Sequence, residues 1–181
     1  KFNNNDKADQ FNKPTGICVK NHKIYVADKK NHRIVVLNEN GKLNKIVSSP
    51  KTNVEGAFSK DFVYKPEKVG VDDVGRIYVT ASGVYDGILT FDVEGNFTGF
   101  IGAPRVTPNP LDYFWRKLAT EEQKKRMNIF LPTVFNNMDV ASNGFIYAAV
   151  GEGEINRNEV VKKLNPSGED ILRREAFSPP I

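Results

Sequence analysis

Residues 14–28 read PTGICVKNHKIYVAD, residues 66–80 read PEKVGVDDVGRIYVT, and residues 132–149 read PTVFNNMDVASNGFIYAA. Each stretch begins with a proline and an apolar run, continues through a polar turn and then reaches an Ile-Tyr pair. A further apolar run follows and ends in a turn glycine, at Gly41, Gly95 and Gly168 respectively. Repetition of one unit at such a spacing is typical of architectures that stack similar modules side by side.

The runs within each unit have the composition of short β-strands. They are rich in Val, Ile and Tyr and are separated by clusters of Asn, Asp, Gly and Lys. A fourth apolar run follows the turn glycine, as at 42–47 and 96–101. Four strands per unit predict an all-β fold, a β-propeller of four-stranded antiparallel blades, because a lone blade cannot cover its own faces. A β-sandwich is the alternative, although a sandwich does not require self-similar units.

The repeat boundaries predict a partial propeller over the whole chain. We expect blade-like repeats at about 11–47, 66–101 and 132–177. Small propellers have at least four blades, so three units predict either a fragment of a longer protein or a homodimer in which two three-blade halves pair. We favour the fragment, because residues 2–10 and 177–181 look like connectors that have been cut.

One segment resembles a known family. Residues 24–37 read IYVADKKNHRIVVL, which is similar to the NHL repeat: a Tyr-Val-Ala-Asp strand end, a turn with Asn, then Arg-Ile or Arg-Val. Asp28, Asn31 and Arg33 occupy the positions of the matching family residues, whereas the second and third repeats match less well. The resemblance implies a six-bladed propeller, as in bacterial NHL proteins, and binding more often than catalysis. Independently, an Asp that closes a strand can accept hydrogen bonds from the turn and pair with a nearby Arg, so we expect these residues to be structural.

The connection between the second and third units departs from a bare repeat. It occupies about 105–131, and a helical insertion is predicted at about 110–128 because apolar residues recur on one helical face, at Leu111, Phe114, Trp115 and Leu118. Such connections lie on one rim of a propeller, where ligands are often bound. Phe114, Trp115 and Arg116 are therefore candidate binding residues for a protein or carbohydrate partner.

The first strand of the third unit carries a polar cluster. Asn136, Asn137 and Asp139 are candidate channel residues, because innermost strands line the propeller channel and alternation would aim either Asn137 and Asp139 or Asn136 and Met138 at it. Oxygen ligands of this kind suit Ca²⁺. One blade that supplies one Asp is not a metal site, so we expect no metal or other cofactor and keep Ca²⁺ only as a possibility.

Composition limits the classes of function. The chain is 39% hydrophobic and 27% charged with a net charge of +4, as in a globular domain, and no apolar run is long enough to span a membrane. The dense basic runs lack interleaved aromatic residues, so nucleic acid is not an expected partner. The two histidines, His22 and His32, both fall in lysine-flanked turns, and no catalytic arrangement can be built from them.

These observations favour a non-catalytic propeller that acts as a binding module or scaffold and presents rim loops to a protein or carbohydrate partner. We expect it to act outside the cell or at a bacterial cell envelope. The alternative is a calcium-dependent, lactonase-like hydrolase that uses Asp139 and is completed by blades outside this segment. A purely structural domain of a larger surface protein is a third hypothesis.

Overall fold

The computed structural model describes residues 2–4, 7–51, 58, 61–84, 87–102, 134–152 and 160–172. These residues form a two-stranded hairpin, three larger antiparallel sheets and one short 3-10 turn at Lys29–Asn31. Each sheet is a simple meander in chain order. In this part of the chain no helix is long and apolar enough to cross a membrane. The helical insertion predicted at about 110–128 lies outside the described residues.

The hairpin comes first, in the segment that the sequence suggested was a connector. Residues 2–10 look like a cut connector in the sequence, yet β1 (Phe2–Asn4) pairs with β2 (Lys7–Asp9). The ring of Phe2 lies 5.0 Å from that of Phe11, and Phe2 is buried in one cluster with two residues of the next sheet, Val35 and Leu37. The hairpin therefore packs on the first sheet.

The first sheet, called blade 1, contains four strands. They are β3 (Pro14–Lys20), β4 (Lys23–Asp28), β5 (Arg33–Asn38) and β6 (Leu43–Val47). Asn21 and His22 connect β3 to β4, and both have positive φ, at 50° and 57°. Two such residues make a type I′ turn, whose twist matches that of the flanking strands.

Two further sheets follow. Blade 2 contains four strands, β7 (Pro66–Val71), β8 (Ile77–Ala81), β9 (Gly87–Phe91) and β10 (Phe97–Gly102). Blade 3 contains three in the described residues, β11 (Val134–Val140), β12 (Ile146–Glu152) and β13 (Val161–Leu164). The fourth strand predicted for blade 3 is represented there by one isolated bridge, between Leu164 and Asp170.

The blades pack face to face around their first strands. β3 lies against β7, and β7 lies against β11. The core between blades 1 and 2 includes Tyr25, Ile34, Val69, Val79 and Phe91. The core between blades 2 and 3 includes Tyr78, Ile88, Met138, Ile146 and Leu164. Consecutive meander sheets that stack in this way, with their first strands adjacent, are blades of a partial β-propeller.

Strand pairing gives the true register of the repeat. Pro14 pairs with Asp28, and Pro66 pairs with Ala81, three positions after the tyrosine of each Ile-Tyr pair. The residue in the same place in blade 3 is Phe135, which pairs with Val150. The prolines that open the three stretches are therefore not all equivalent, because Phe135, rather than Pro132, takes the place of Pro14 and Pro66 in the strand pairing. In this register Tyr25, Tyr78 and Tyr147 are equivalent.

Blades 1 and 2 approach each other closely at Gly16, and this contact generates a prediction. A Cβ there would lie 2.7 Å from the carbonyl oxygen of Glu67 and 2.9 Å from the Cα of Lys68. Both are backbone atoms, so Gly16→Ala must push the blades apart. We expect a loss of about 1–3 kcal/mol in the free energy of unfolding, as for other overpacked cores, measured by urea denaturation.

Gly151→Ala is the matched control for this prediction. The three atoms nearest to a Cβ at Gly151 all belong to the side chain of Asn136, which is exposed and can rotate away. We expect a smaller loss of stability than in the Gly16 variant. Equal losses of stability in the two variants would show that the contact between blades at Gly16 is not the reason why Gly16→Ala is destabilising.

Candidate binding site

The three first strands border one cleft of about 540 Å³. We call it the inner-strand cleft. It takes residues from the segment before β3, from β3 and β4, from β7 and from β11, and the lining residues are Phe11, Pro14, Thr15, Gly16, Ile17, Val26, Lys68, Val69, Asn137 and Met138. Most of these side chains are apolar, and three of them, Thr15, Lys68 and Asn137, carry polar groups.

A bulge at the same place in each blade shapes this cleft. The regular pairing of the first strand with the second is interrupted between Pro14 and Gly16, between Pro66 and Lys68, and between Phe135 and Asn137. The residue after each bulge, Gly16, Lys68 or Asn137, lines the cleft. Bulges often re-aim side chains beside functional sites, and here the bulge position recurs while the residue after it changes.

Among the described residues that line the cleft, Lys68 is the one that carries a charge. Its amino group donates a hydrogen bond to the backbone oxygen of Thr15 at 3.3 Å. The neighbouring carboxylate of Glu67 accepts hydrogen bonds from Lys29 and Ser82 instead. A lysine amino group has three donors, so Lys68 keeps donor capacity toward the cleft. Sequence analysis did not single out this residue, although the adjacent charged residues Glu67 and Lys68 interrupt the apolar pattern of the first strand.

The structure separates the three polar residues predicted to line the channel. Asn137 lines the cleft together with Met138. Asn136 lies on the bulge, where its amide occupies the space beside Gly151. Asp139 is exposed farther along β11. Burial raises the pKa of the Cys18 thiol, and the negative charge of Asp139 raises this pKa further.

No metal centre is formed by the described residues. They contain no group of three or more His, Cys, Asp or Glu side chains placed to hold a metal ion. The positions equivalent to Asp139 are Cys18 in blade 1 and Gly70 in blade 2. Phe114, Trp115 and Arg116, the other predicted binding residues, lie outside the described residues.

A hydrogen-bond network holds the end of β4. The buried carboxylate of Asp28 accepts from the backbone amide of Asn12 at 2.7 Å, from Asn31 Nδ2 at 2.8 Å and from Arg33 Nε at 2.9 Å. Arg33 also donates from its two terminal nitrogens to the carboxylate of Asp9, at 2.8 and 2.9 Å. These hydrogen bonds, those with Asp9 first, raise the pKa of the Arg33 guanidinium. The network therefore ties the hairpin to blade 1.

The segment that contains this network also matches a family model. Residues 11–37 match the model of the NHL repeat. The chain contains an NHL repeat. The match confirms the resemblance seen at residues 24–37, and it spans β3, β4 and most of β5. The six-blade count that the family implies stays a prediction.

Comparison of whole structures gives more distant similarities. They include selenomethionine-substituted virginiamycin B lyase from Staphylococcus aureus, 17% identical with a TM-score of 0.45 over 92% of this chain. A streptogramin B lyase is 18% identical with a TM-score of 0.48 over 86% of this chain. The PQQ-bound aldose sugar dehydrogenase from Streptomyces coelicolor is 10% identical with a TM-score of 0.47 over 88%.

The chain spans 41%, 38% and 46% of the lengths of these three structures, in the same order. No curated protein sequence matches the chain significantly.

The network of the NHL repeat predicts a large effect of losing its arginine. Arg33→Met would leave the buried carboxylate of Asp28 without its cation, and removal of one partner from a buried ion pair is strongly destabilising. We expect the free energy of unfolding to fall by about 3 kcal/mol, measured by urea denaturation. Arg76→Met is the comparison: Asp72 is buried as well, but it also accepts hydrogen bonds from the Tyr78 hydroxyl and the Arg76 backbone amide. Arg76 is nearly half exposed and, among the described residues, pairs with this carboxylate alone. We expect a smaller loss there.

The titration of Asp9 shows whether a variant has lost this network specifically or is only less stable overall. The hydrogen bonds from Arg33 hold the pKa of the Asp9 carboxyl well below its usual range. Since the pKa of Asp9 is lower in the folded state than in the unfolded state, the ionised carboxylate stabilises the fold above the unfolded pKa of about 4. This contribution to the free energy of unfolding is lost as the pH falls through the folded-state pKa of Asp9. Carboxyl carbon NMR should show the Asp9 pKa rising toward its usual value in Arg33→Met. An unchanged Asp9 titration would contradict the proposed pairing.

Proposed function

We propose that the chain is a non-catalytic binding module and that its inner-strand cleft binds a segment of a protein partner. The composition of the cleft supports this proposal. Its volume falls within the range of about 300–1,000 Å³ that is usual for ligand pockets, and an apolar lining with a few polar groups is typical of such sites. The lining residues belong to three blades, so the rigid framework of the propeller holds them in place.

The chemistry of the lining favours a ligand with one apolar and one acidic group. Ile17, Val26 and Met138 offer aliphatic contacts, and Phe11 is the one aromatic ring among the lining residues that the structure describes. Carbohydrate sites usually depend on more aromatic surface than this, whereas an aliphatic peptide side chain fits the lining well. Lys68 supplies a positive charge that can pair with a carboxylate of the ligand.

A peptide array tests this proposal. We expect peptides that combine aliphatic and acidic residues to bind, and Lys68→Met to weaken binding by about tenfold or more, because a hydrogen bond to a charged group contributes about 1.5–3 kcal/mol. Fluorescence anisotropy with the best peptide would measure the change. Lys42→Met, at the exposed turn before β6, is the matched control and should bind as the unmodified chain does.

The salt dependence and a second array complete this test. Binding through Lys68 should weaken as ionic strength rises, because salt screens the pairing of exposed charges. An oligosaccharide array run in parallel would reveal a carbohydrate ligand. Oligosaccharide binding that Lys68→Met leaves unchanged, without peptide binding, would contradict the peptide proposal.

The calcium-dependent hydrolase is tested separately. Under the binding proposal we expect the purified chain, dialysed against calcium, to hold less than one calcium ion per chain and to hydrolyse no lactone. Elemental analysis and a lactone assay measure both. Stoichiometric calcium that is lost together with lactone hydrolysis on chelation, and that Asp139→Asn abolishes, would favour the hydrolase instead.

A further inference from the structure

Blade 1 exposes apolar positions that blade 2 buries. Ile17 and Val19 lie on β3, and each side chain is 69% exposed. Their equivalents in the register of the repeat are Val69 and Val71 on β7, which are 5% and 1% exposed. Both valines belong to the core between blades 1 and 2. The exposed pair thus occupies positions that serve as a blade contact one repeat later.

Blade 3 shows that this is a property of the position rather than of blade 2. The residues equivalent to Ile17 and Val19 are Met138 and Val140 on β11. Both pack into the core between blades 2 and 3. In each blade that has a predecessor in the described structure, these two positions therefore bind the preceding blade.

Blade 3 exposes its other face, the one that in blades 1 and 2 packs on the following blade. Tyr147 on β12 is 39% exposed, with the amino group of Lys163 5.7 Å from its ring centre. The equivalent residues Tyr25 and Tyr78 are buried, one in each of the two cores between blades. The tyrosine of each blade thus packs on the next blade, and Tyr147 is the tyrosine of the last described blade.

We propose that a second copy of this chain binds head to tail, with the Tyr147 face of blade 3 in one copy seated on the Ile17 and Val19 face of blade 1 in the other. The contact would continue the two interfaces already present inside the chain, because it joins the same repeat positions. A head-to-tail contact either closes into a ring or extends as a filament. In a closed pair with two-fold symmetry, each copy uses its blade 1 face once and its blade 3 face once.

The hairpin does not block this contact. β1 and β2 cover the outer part of the same face of blade 1, where Phe2 packs with Val35 and Leu37. Phe58 and Phe62, on the connection before blade 2, pack in the same way against the core between blades 1 and 2. The hairpin therefore resembles a normal connecting segment and leaves the inner part of the face, at β3, exposed.

Molar mass in solution tests the proposal. Light scattering across a concentration series should give a species near twice the 20.3 kDa of one chain. Val19→Asp places a charge on the blade 1 face, and Tyr147→Asp places one on the blade 3 face. We expect each variant alone to be a monomer of 20.3 kDa. A monomer in the unmodified chain at all concentrations would overturn the proposal.

Mixing the two variants tests the head-to-tail geometry. The Val19 variant keeps an intact blade 3 face and the Tyr147 variant keeps an intact blade 1 face, so one unmodified interface can form between them. We expect the mixture to recover a species of doubled mass. A dimer that Val19→Asp dissociates and Tyr147→Asp leaves intact would instead mean that two blade 1 faces bind each other, which contradicts the proposal.

Val74→Asp is the matched control. Val74 is 67% exposed, in the turn between β7 and β8, and belongs to neither face. The control should keep the mass of the unmodified chain, and circular dichroism should show all three variants folded. If Val74→Asp also abolishes the doubled mass, the effect comes from added charge and the proposal fails.

The experiment is independent of the ligand proposed for the inner-strand cleft. Ile17 belongs to both surfaces, but neither of the substituted residues, Val19 and Tyr147, lines the cleft, and the mass is measured without any peptide. A failed peptide array therefore leaves the pairing of copies intact, and a monomeric chain leaves the peptide result intact.

Discussion

Burial of two faces per sheet is the constraint on which this structure depends. A β-blade is apolar on both sides, because the strands of blade 1 send Tyr25 and Val36 to one face and Val35 and Leu37 to the other. Full burial of such a side chain stabilises the fold by about 1.5–3 kcal/mol. Every blade therefore needs a neighbour on each side, and the chain supplies neighbours by repeating the unit.

The narrow gap between blades follows from the same constraint. Blades that share a core in a propeller bring their first strands close together. Gly16 shows how close they come, since a single methyl group there would contact the backbone of β7. Gly70 plays the same part between blades 2 and 3, where a Cβ would lie 2.7 Å from the Cγ2 of Val140. Small residues on inner strands are a consequence of this packing and carry no information about a ligand.

The architecture could be predicted well from the sequence because the repeat unit occurs three times. The Ile-Tyr pairs mark the second strand of each blade, and Asp28, Asn31 and Arg33 mark the NHL repeat. The register of blade 3 was missed, because proline marks the start of the first strand in blades 1 and 2 while Phe135 takes that place in blade 3. Only the pairing of strands reveals such a shift.

The cleft was harder to predict for a physical reason. Asn137 was predicted from a visible cluster of polar residues, but Thr15 and Lys68 are separated from it along the chain and meet it only when three first strands come together. The hairpin was missed as well, because its contact with blade 1 depends on Asp9, which reads as an ordinary surface acid until Arg33 reaches it.

The repeat also separates positions that keep one residue type in every blade from positions at which the residue differs between blades. The tyrosine position is Tyr in all three blades and lies between blades wherever a next blade is described. The position after the bulge is Gly16, Lys68 or Asn137, and it lines the cleft in every blade. Close packing against β7 explains the glycine of blade 1, but packing alone does not explain the lysine of blade 2 or the asparagine of blade 3. The ligand site that we propose would account for these two residues, because chemically different groups at equivalent positions make the walls of one cleft unequal.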